Sequence, residues 1–178
     1  ISSLSATEIA NLSIADLQSA TASDFSHLVA EQLQALTTTQ TAALTSAQIR
    51  YLSGDQISAL TTSQIGALTT TEVAALTKGA VEGLTTVQIE AFLAAQIMGL
   101  SSSCVSGLSA EQLGAFSAEQ LLALTTTQLR GLTSTDVSEL NTTELSLFSP
   151  TQLSALSAGA LRGLGAEQLA GLTLDQIN

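Results

Sequence analysis

Few side chains in this chain could do chemistry, and each kind is alone or scattered. His27 is the sole histidine, Cys104 the sole cysteine, and fifteen carboxylates stand against four lysine and arginine residues. An imidazole close to Phe25 could serve as a general base, and a thiol at a predicted helix start is placed to be held as thiolate. A nucleophile needs its base within hydrogen-bond reach, yet more than nine eight-residue repeats separate His27 from Cys104. The plainer reading holds for both: His27 fills the corner of an imperfect early repeat, and Cys104 is a small residue where glutamine is usual. Glu31, Asp55, Glu111 and Glu119 are dispersed, not gathered at metal-ligand spacing, and the glycine-rich calcium nonapeptide is absent. The expectation is a protein with no catalytic, cofactor-binding or metal-binding residue, and not an enzyme.

The elements that would position any of these groups are written in one phrase. It restarts every eighth residue from Leu4 onward, without insertion or deletion, close to Leu-Thr-Thr-x-Gln-Ile-x-Ala. Period-locked self-similarity marks a stacked, quasi-one-dimensional fold. Numbering the columns from the leucine, column one is Leu in 18 of 22 octads, with Ala20, Phe92, Phe116 and Phe148 in the others. Column six is apolar throughout except at Thr41. Column two is Ser or Thr in 18 of 22, and column five is Gln, Glu or Asp in 19 of 22, the exceptions being Ala80, Cys104 and Ala160. Ser/Thr followed three residues later by Gln/Glu is the capping box, and the flanking apolar pair is the hydrophobic staple. Each octad thus carries a complete helix start. The unit it predicts is about one and a half turns of helix, then a sharp corner at Leu-Thr.

Other details agree. Pro150 falls at the first helical position, where its missing N–H costs nothing. Twelve of the fifteen acidic residues lie in columns four and five, and Arg50, Arg130 and Arg162 all occupy column seven, matching the helix dipole. Column eight is Ala or Gly in 15 of 22 octads, which suits a close crossing of segments. The expected fold is all-α, a solenoid of very short capped helices, one per octad, spanning residues 1–178 as a single continuous segment. A β-solenoid is the rival, but columns one and six have opposite parity and would face opposite sides of a straight strand. One long helix fails because an octad drifts roughly 80° per repeat around the axis. Ordering eight residues costs on the order of 8–16 kcal/mol, whereas burying one Leu and one Ile returns about 3–6. The octads must therefore stack.

Composition bounds the role. A net charge of −11 opposes binding to a phosphate backbone, so no nucleic-acid partner is expected. No apolar run is long enough for a transmembrane helix. The first residues, Ile1-Ser2-Ser3, carry neither Met nor a signal peptide, and neither end shows an atypical polar capping repeat. The segment therefore reads as part of a longer array, or as one whose ends are covered by identical subunits; either way both ends are raw faces suited to self-association, head-to-tail or lateral. Gly79 and Gly159 mark two look-alike octads, TKGAVEGL and SAGALRGL, read as packing variants or softer points. Runs at Thr37 to Thr39, Thr69 to Thr71 and Thr125 to Thr127 raise ice binding, but column-two hydroxyls are already assigned to caps. Columns three and four are interrupted by Gly54, Lys78, Val87, Glu111 and Pro150.

The LTTTQIAALT-like octad resembles the Leu-Thr-Gln-Ile-Ala tandem repeats of very large bacterial secreted or cell-surface proteins of the adhesin type. The resemblance covers nearly the whole chain. It implies an extended extracellular stalk or filament-forming region and no site residue. The leading expectation is a structural protein at the bacterial cell surface. The alternative is a protein-binding solenoid displaying columns three, four and seven.

Overall fold

In the computed structural model, which describes residues 1–177, short α-helices follow one another from α1 (Ala6–Ala10) to α22 (Leu174–Ile177), one per octad, and no strand occurs among the described residues. Most helices start as the capping box dictates; α2 (Ile14–Ser19), α10 (Lys78–Glu82), α13 (Ser102–Val105) and α20 (Ala158–Leu161) keep the column-two cap alone. From Ser5 to Gly165 the N-cap residues are extended, and the column-two side chain accepts from the backbone N–H at column five, as Thr61 does from Gln64 at 3.2 Å. Where Val29, Leu93 or Gly165 replaces the hydroxyl, half of the box survives. The column-five amide still accepts from their N–H, at 2.9, 2.6 and 2.6 Å.

Each helix ends when the column-one N–H turns back onto the column-six carbonyl, as in Leu52 to Ile49 at 3.1 Å. The chain then runs extended through columns one and two: Leu60 has φ −65° and ψ 143°, Thr61 φ −72° and ψ 158°. No residue among those described has positive φ. The corner is a plain switch from helical to extended backbone and needs no glycine for its conformation.

Successive octads coil, and the coils stack. Every third helix is in contact: α4 (Ala30–Gln34) lies on α7 (Gly54–Ala59), α7 on α10 (Lys78–Glu82), and α10 on α13 (Ser102–Val105). Side-chain bonds between coils join residues 28 and 31 apart. Twenty-eight residues are 3.5 octads, so each coil is staggered by half an octad over the one before. With neighbouring helices about 8–10 Å apart, the six or so coils make a rod roughly 50–60 Å long. Its interior is an aliphatic spine. Column-six side chains from Ile9 to Leu153 are 0–5 % exposed, and column-one side chains from Leu28 to Leu156 are 2–5 % exposed.

Column eight crosses the first helical residue of the helix three octads earlier. A Cβ added to Gly83 would stand 2.2 Å from the Gly54 carbonyl oxygen, and one on Gly163 would stand 1.9 Å from that of Ser134. Backbone lies against backbone there, and only hydrogen fits. Gly79 and Gly159 behave differently: a Cβ on Gly79 would meet nothing within 4 Å, and one on Gly159 only the Ser157 hydroxyl at 3.6 Å. In these two octads the close packing falls on Gly83 and Gly163, not on Gly79 and Gly159. Gly83→Ala is expected to destabilise by about 1–3 kcal/mol through overpacking, while Gly79→Ala stabilises by about 0.4–1 kcal/mol by restricting the unfolded chain. Thermal melts of the two variants check this, and shifts of the same sign would refute the crossing geometry.

Candidate functional site, a glutamine ladder between coils

The polar feature repeated through the interior is the column-five side chain. Gln64, 2 % exposed, shows what it does. Its Oε1 accepts from the Thr61 N–H at 2.8 Å, completing the cap. Its Nε2 donates to the carbonyls of Leu33 and Leu36 in the preceding coil, both at 2.7 Å. Gln56 bonds Phe25 and Leu28 at 2.8 Å, and Gln120 bonds Ile89 and Phe92 at 2.8 Å. All thirteen column-five glutamines, Gln32 to Gln176, reach back in this way.

The acceptors explain the register. The column-six carbonyl already takes the column-one N–H and offers a second lone pair. The column-one carbonyl lies in the extended corner, outside any helix, and the glutamine of the next coil supplies its donor. Backbone groups that a short helix leaves unpaired at its end are thus satisfied by a side chain about one coil later.

Where column five is not glutamine, the ladder loses donors. Cys104, 1 % exposed, donates its thiol to the Leu76 carbonyl at 3.2 Å and so performs one part of the amide's role. Ala80 and Ala160 perform none. Glu72, 3 % exposed, keeps the cap by accepting from the Thr69 N–H at 2.6 Å, but a carboxylate cannot donate to Thr41 and Leu44, the carbonyls at its register. Burial pushes the Glu72 carboxyl above its ordinary value of 4.5, against the opposing pull of its bonds to Thr69.

The first coil is unlike the others. Its column five holds Glu8, Asp16 and Asp24, three consecutive octads without an amide, which happens nowhere else in the chain. Their carboxylates bond only within their own caps, at 2.6–2.9 Å to Ser5, Ser13 and Thr21. Backbone and side-chain bonds from Ser5 hold Glu8 below the ordinary carboxylate range, as side-chain and backbone bonds from Thr21 do for Asp24. At the position that links coils, these three octads thus differ from the rest of the chain.

The residues first considered for chemistry are not brought together. His27 is exposed in the first coil, its Nδ1 2.9 Å from the Ser23 carbonyl oxygen. Cys104 is buried in α13, ten helices beyond α3 (Ala22–Phe25). Glu31, Asp55, Glu111 and Glu119 are exposed, and no cluster of His, Cys, Asp or Glu able to hold a metal occurs among the described residues. The hydroxyls of Thr37, Thr69 and Thr125 each cap their own helix. The donor half of the ladder escaped the sequence reading, although it left a signal. Glutamate serves a capping box and a helix dipole at least as well as glutamine, yet after the first coil glutamine outnumbers Glu and Asp in column five by thirteen to three.

This architecture is that of a tandem-repeat solenoid of very short helices. Residues 44–78 match the ALTTAQ repeat family. The string that names that family corresponds to columns eight through five of the octad, from the crossing residue to the ladder amide, as in Ala59-Leu60-Thr61-Thr62-Ser63-Gln64. Among curated proteins, nothing matches the chain.

Gln64→Ala removes two donors between coils and half a cap, and is expected to cost about 2–4 kcal/mol. Thr61→Ala removes one hydroxyl cap and costs about 0.5–2 kcal/mol. Denaturant titration ranks the two, and the reverse order would count against the ladder. Glu72→Gln should stabilise by about 1–3 kcal/mol at neutral pH by restoring donors and removing a buried charge. Because the folded-state pKa of Glu72 is raised, protonation favours the fold. The advantage of Glu72→Gln over wild type is therefore greatest at neutral pH and shrinks as pH falls through the raised value toward 4.5. Melting both proteins from pH 7 to pH 4 follows it.

Proposed function

We propose that this chain is a non-catalytic structural repeat protein, a stiff spacer segment in an extracellular or cell-surface stalk. The observation that carries the reading is the ladder. The polar side chains buried in the interior are mostly spent on joining one coil to the next. A rod built from identical joints has stiffness as its natural product. The rod gains about 9 Å per coil of 28 residues, roughly 0.3 Å per residue, against 1.5 Å in a single α-helix. That exchange gives up length for a wide, bend-resistant cross-section. The resemblance of the octad to cell-surface repeats supports the location. No helix among the described residues is long and apolar enough to cross a membrane.

A protein-binding solenoid is the second reading, favoured by Leu93, Met98 and Leu122. These are 62, 57 and 51 % exposed, at the ends of α12 (Ala94–Ile97) and on α15 (Ala118–Ala123), which are packed on each other. Small-angle scattering should return a rigid rod of roughly 50–60 Å, lengthening by about 9 Å for each 28 residues of octads added. Protease treatment of intact cells should cleave a protease site placed in the array. A flexible scattering profile would defeat the spacer reading, and protection of the array on intact cells would defeat the location.

A further inference from the structure

One coil takes 28 residues, so positions 28 apart face the same side of the rod. The charged residues avoid one side. From residue 37 to residue 161, the thirteen-residue stretches 37–49, 65–77, 93–105, 121–133 and 149–161 lie one above another. They hold only two charged residues, Glu72 and Arg130, and the Glu72 side chain is buried. The four fifteen-residue stretches between them hold ten. Among those ten, Asp55, Glu82, Glu111 and Glu139 follow one another at 27, 29 and 28 residues, an acidic line along the rod with one member per coil. The uncharged side also carries large apolar side chains in the open, Leu93, Met98 and Leu122. Leu93 and Leu122 are 29 residues apart, the offset at which Gly83 meets Gly54 in the neighbouring coil, and Met98 ends the helix that Leu93 begins. The three form one patch across two coils.

We propose that this uncharged side is a lateral docking surface for a second copy of the chain, so that two rods lie side by side with Leu93, Met98 and Leu122 of each at the contact. Charge selects the face. A chain of net charge −11 repels its own kind, and two copies meet without opposed carboxylates only along the uncharged side. The acidic lines of both then point into solvent, where salt screens them beyond about 8 Å. Arg130, the exposed charge on that side, is cationic and meets a strongly acidic partner. A two-fold axis suffices, since each copy offers the same patch to the other. The area is sufficient too. Thirteen of every 28 residues amount to nearly half of an accessible surface of 8270 Å², and a stable pair covers only about 800 Å² on each partner. The contact runs along the flank of the rod, so it is open to an array of any length, and it is independent of where the protein works.

The test is sedimentation velocity of the full chain over a range of concentrations, with small-angle scattering of the same samples. Wild type is expected to pass from monomer to dimer as concentration rises, more readily at high salt, and the dimer is thicker than the monomer but no longer. Met98→Glu combined with Leu122→Glu puts two carboxylates on the uncharged side and should weaken dimerisation by about tenfold or more. Val29→Glu combined with Val87→Glu adds the same charge at exposed positions outside that side and should leave dimerisation nearly unchanged. If circular dichroism shows the first pair unfolded, Thr71→Glu with Thr127→Glu replaces it. Both threonines are exposed on the uncharged side and stand in first helical turns, where a carboxylate suits the helix dipole. Wild type that stays monomeric at every concentration, at high salt as well, overturns the proposal and leaves the patch to a different protein. So does a complex that is longer instead of thicker, or a dimer that both sets of glutamate substitutions weaken alike. The spacer reading survives each of these results, because a single rod already satisfies it.

Discussion

The fold depends on one planar amide used in three directions. In each regular octad the glutamine Oε1 closes the cap of its own helix, and its Nε2 reaches two carbonyls about one coil earlier, as Gln64 does to Leu33 and Leu36. The two tasks are coupled. Once Oε1 is held by the N-cap N–H, the plane of the amide is set and Nε2 already points toward the preceding coil. The entropy of ordering a long side chain, about 1.5–2 kcal/mol for glutamine, is then spent once for a local and a long-range interaction together. Carboxylates keep the first task and lose the second, which is why Glu72 still caps its helix and yet breaks the ladder.

From that joint follows the tolerance of the array. A single octad cannot hold itself folded, and each coil leans on the two beside it. Glu72 and Ala80 remove the amide in two adjacent octads, and Gln88 and Gln96 restore it immediately after. Val73 and Val81, in the same two octads, stay fully buried. The spine therefore carries the stack across a gap of two joints. Only the first coil lacks the amide in three successive octads, nearly a whole turn.

The same arrangement accounts for the sparse chemistry. The one cysteine is a substitute donor, the one histidine sits exposed after a helix end, and most acidic residues stand in first helical turns. Among the residues first weighed for catalysis or metal binding, Cys104 serves the ladder, and Glu31, Asp55, Glu111 and Glu119 serve helix starts. A protein whose buried polar groups are committed to its own propagation is suited to mechanical work. A spacer of wide cross-section is the use proposed for it.

The sequence by itself determined everything that acts within one octad. The Ser/Thr cap, the Gln at the third helical position, the staple pair and the corner after each helix are all interactions over three to five residues. A repeated eight-residue window displays them in full, and the buried columns one and six follow from the same window. It also exposed the preference for Gln over Glu, without showing what the extra donors were for. The tertiary structure alone decided that 3.5 octads make a coil and which carbonyls receive each amide. A coil of 3.5 octads turns about 103° per octad and one of four turns 90°. That difference lies within the ordinary ±15–20° scatter of backbone dihedrals. No residue type encodes so small an angle. It is set by the side-chain volumes in the spine and by the reach of the glutamine, which have meaning only once one coil lies on another.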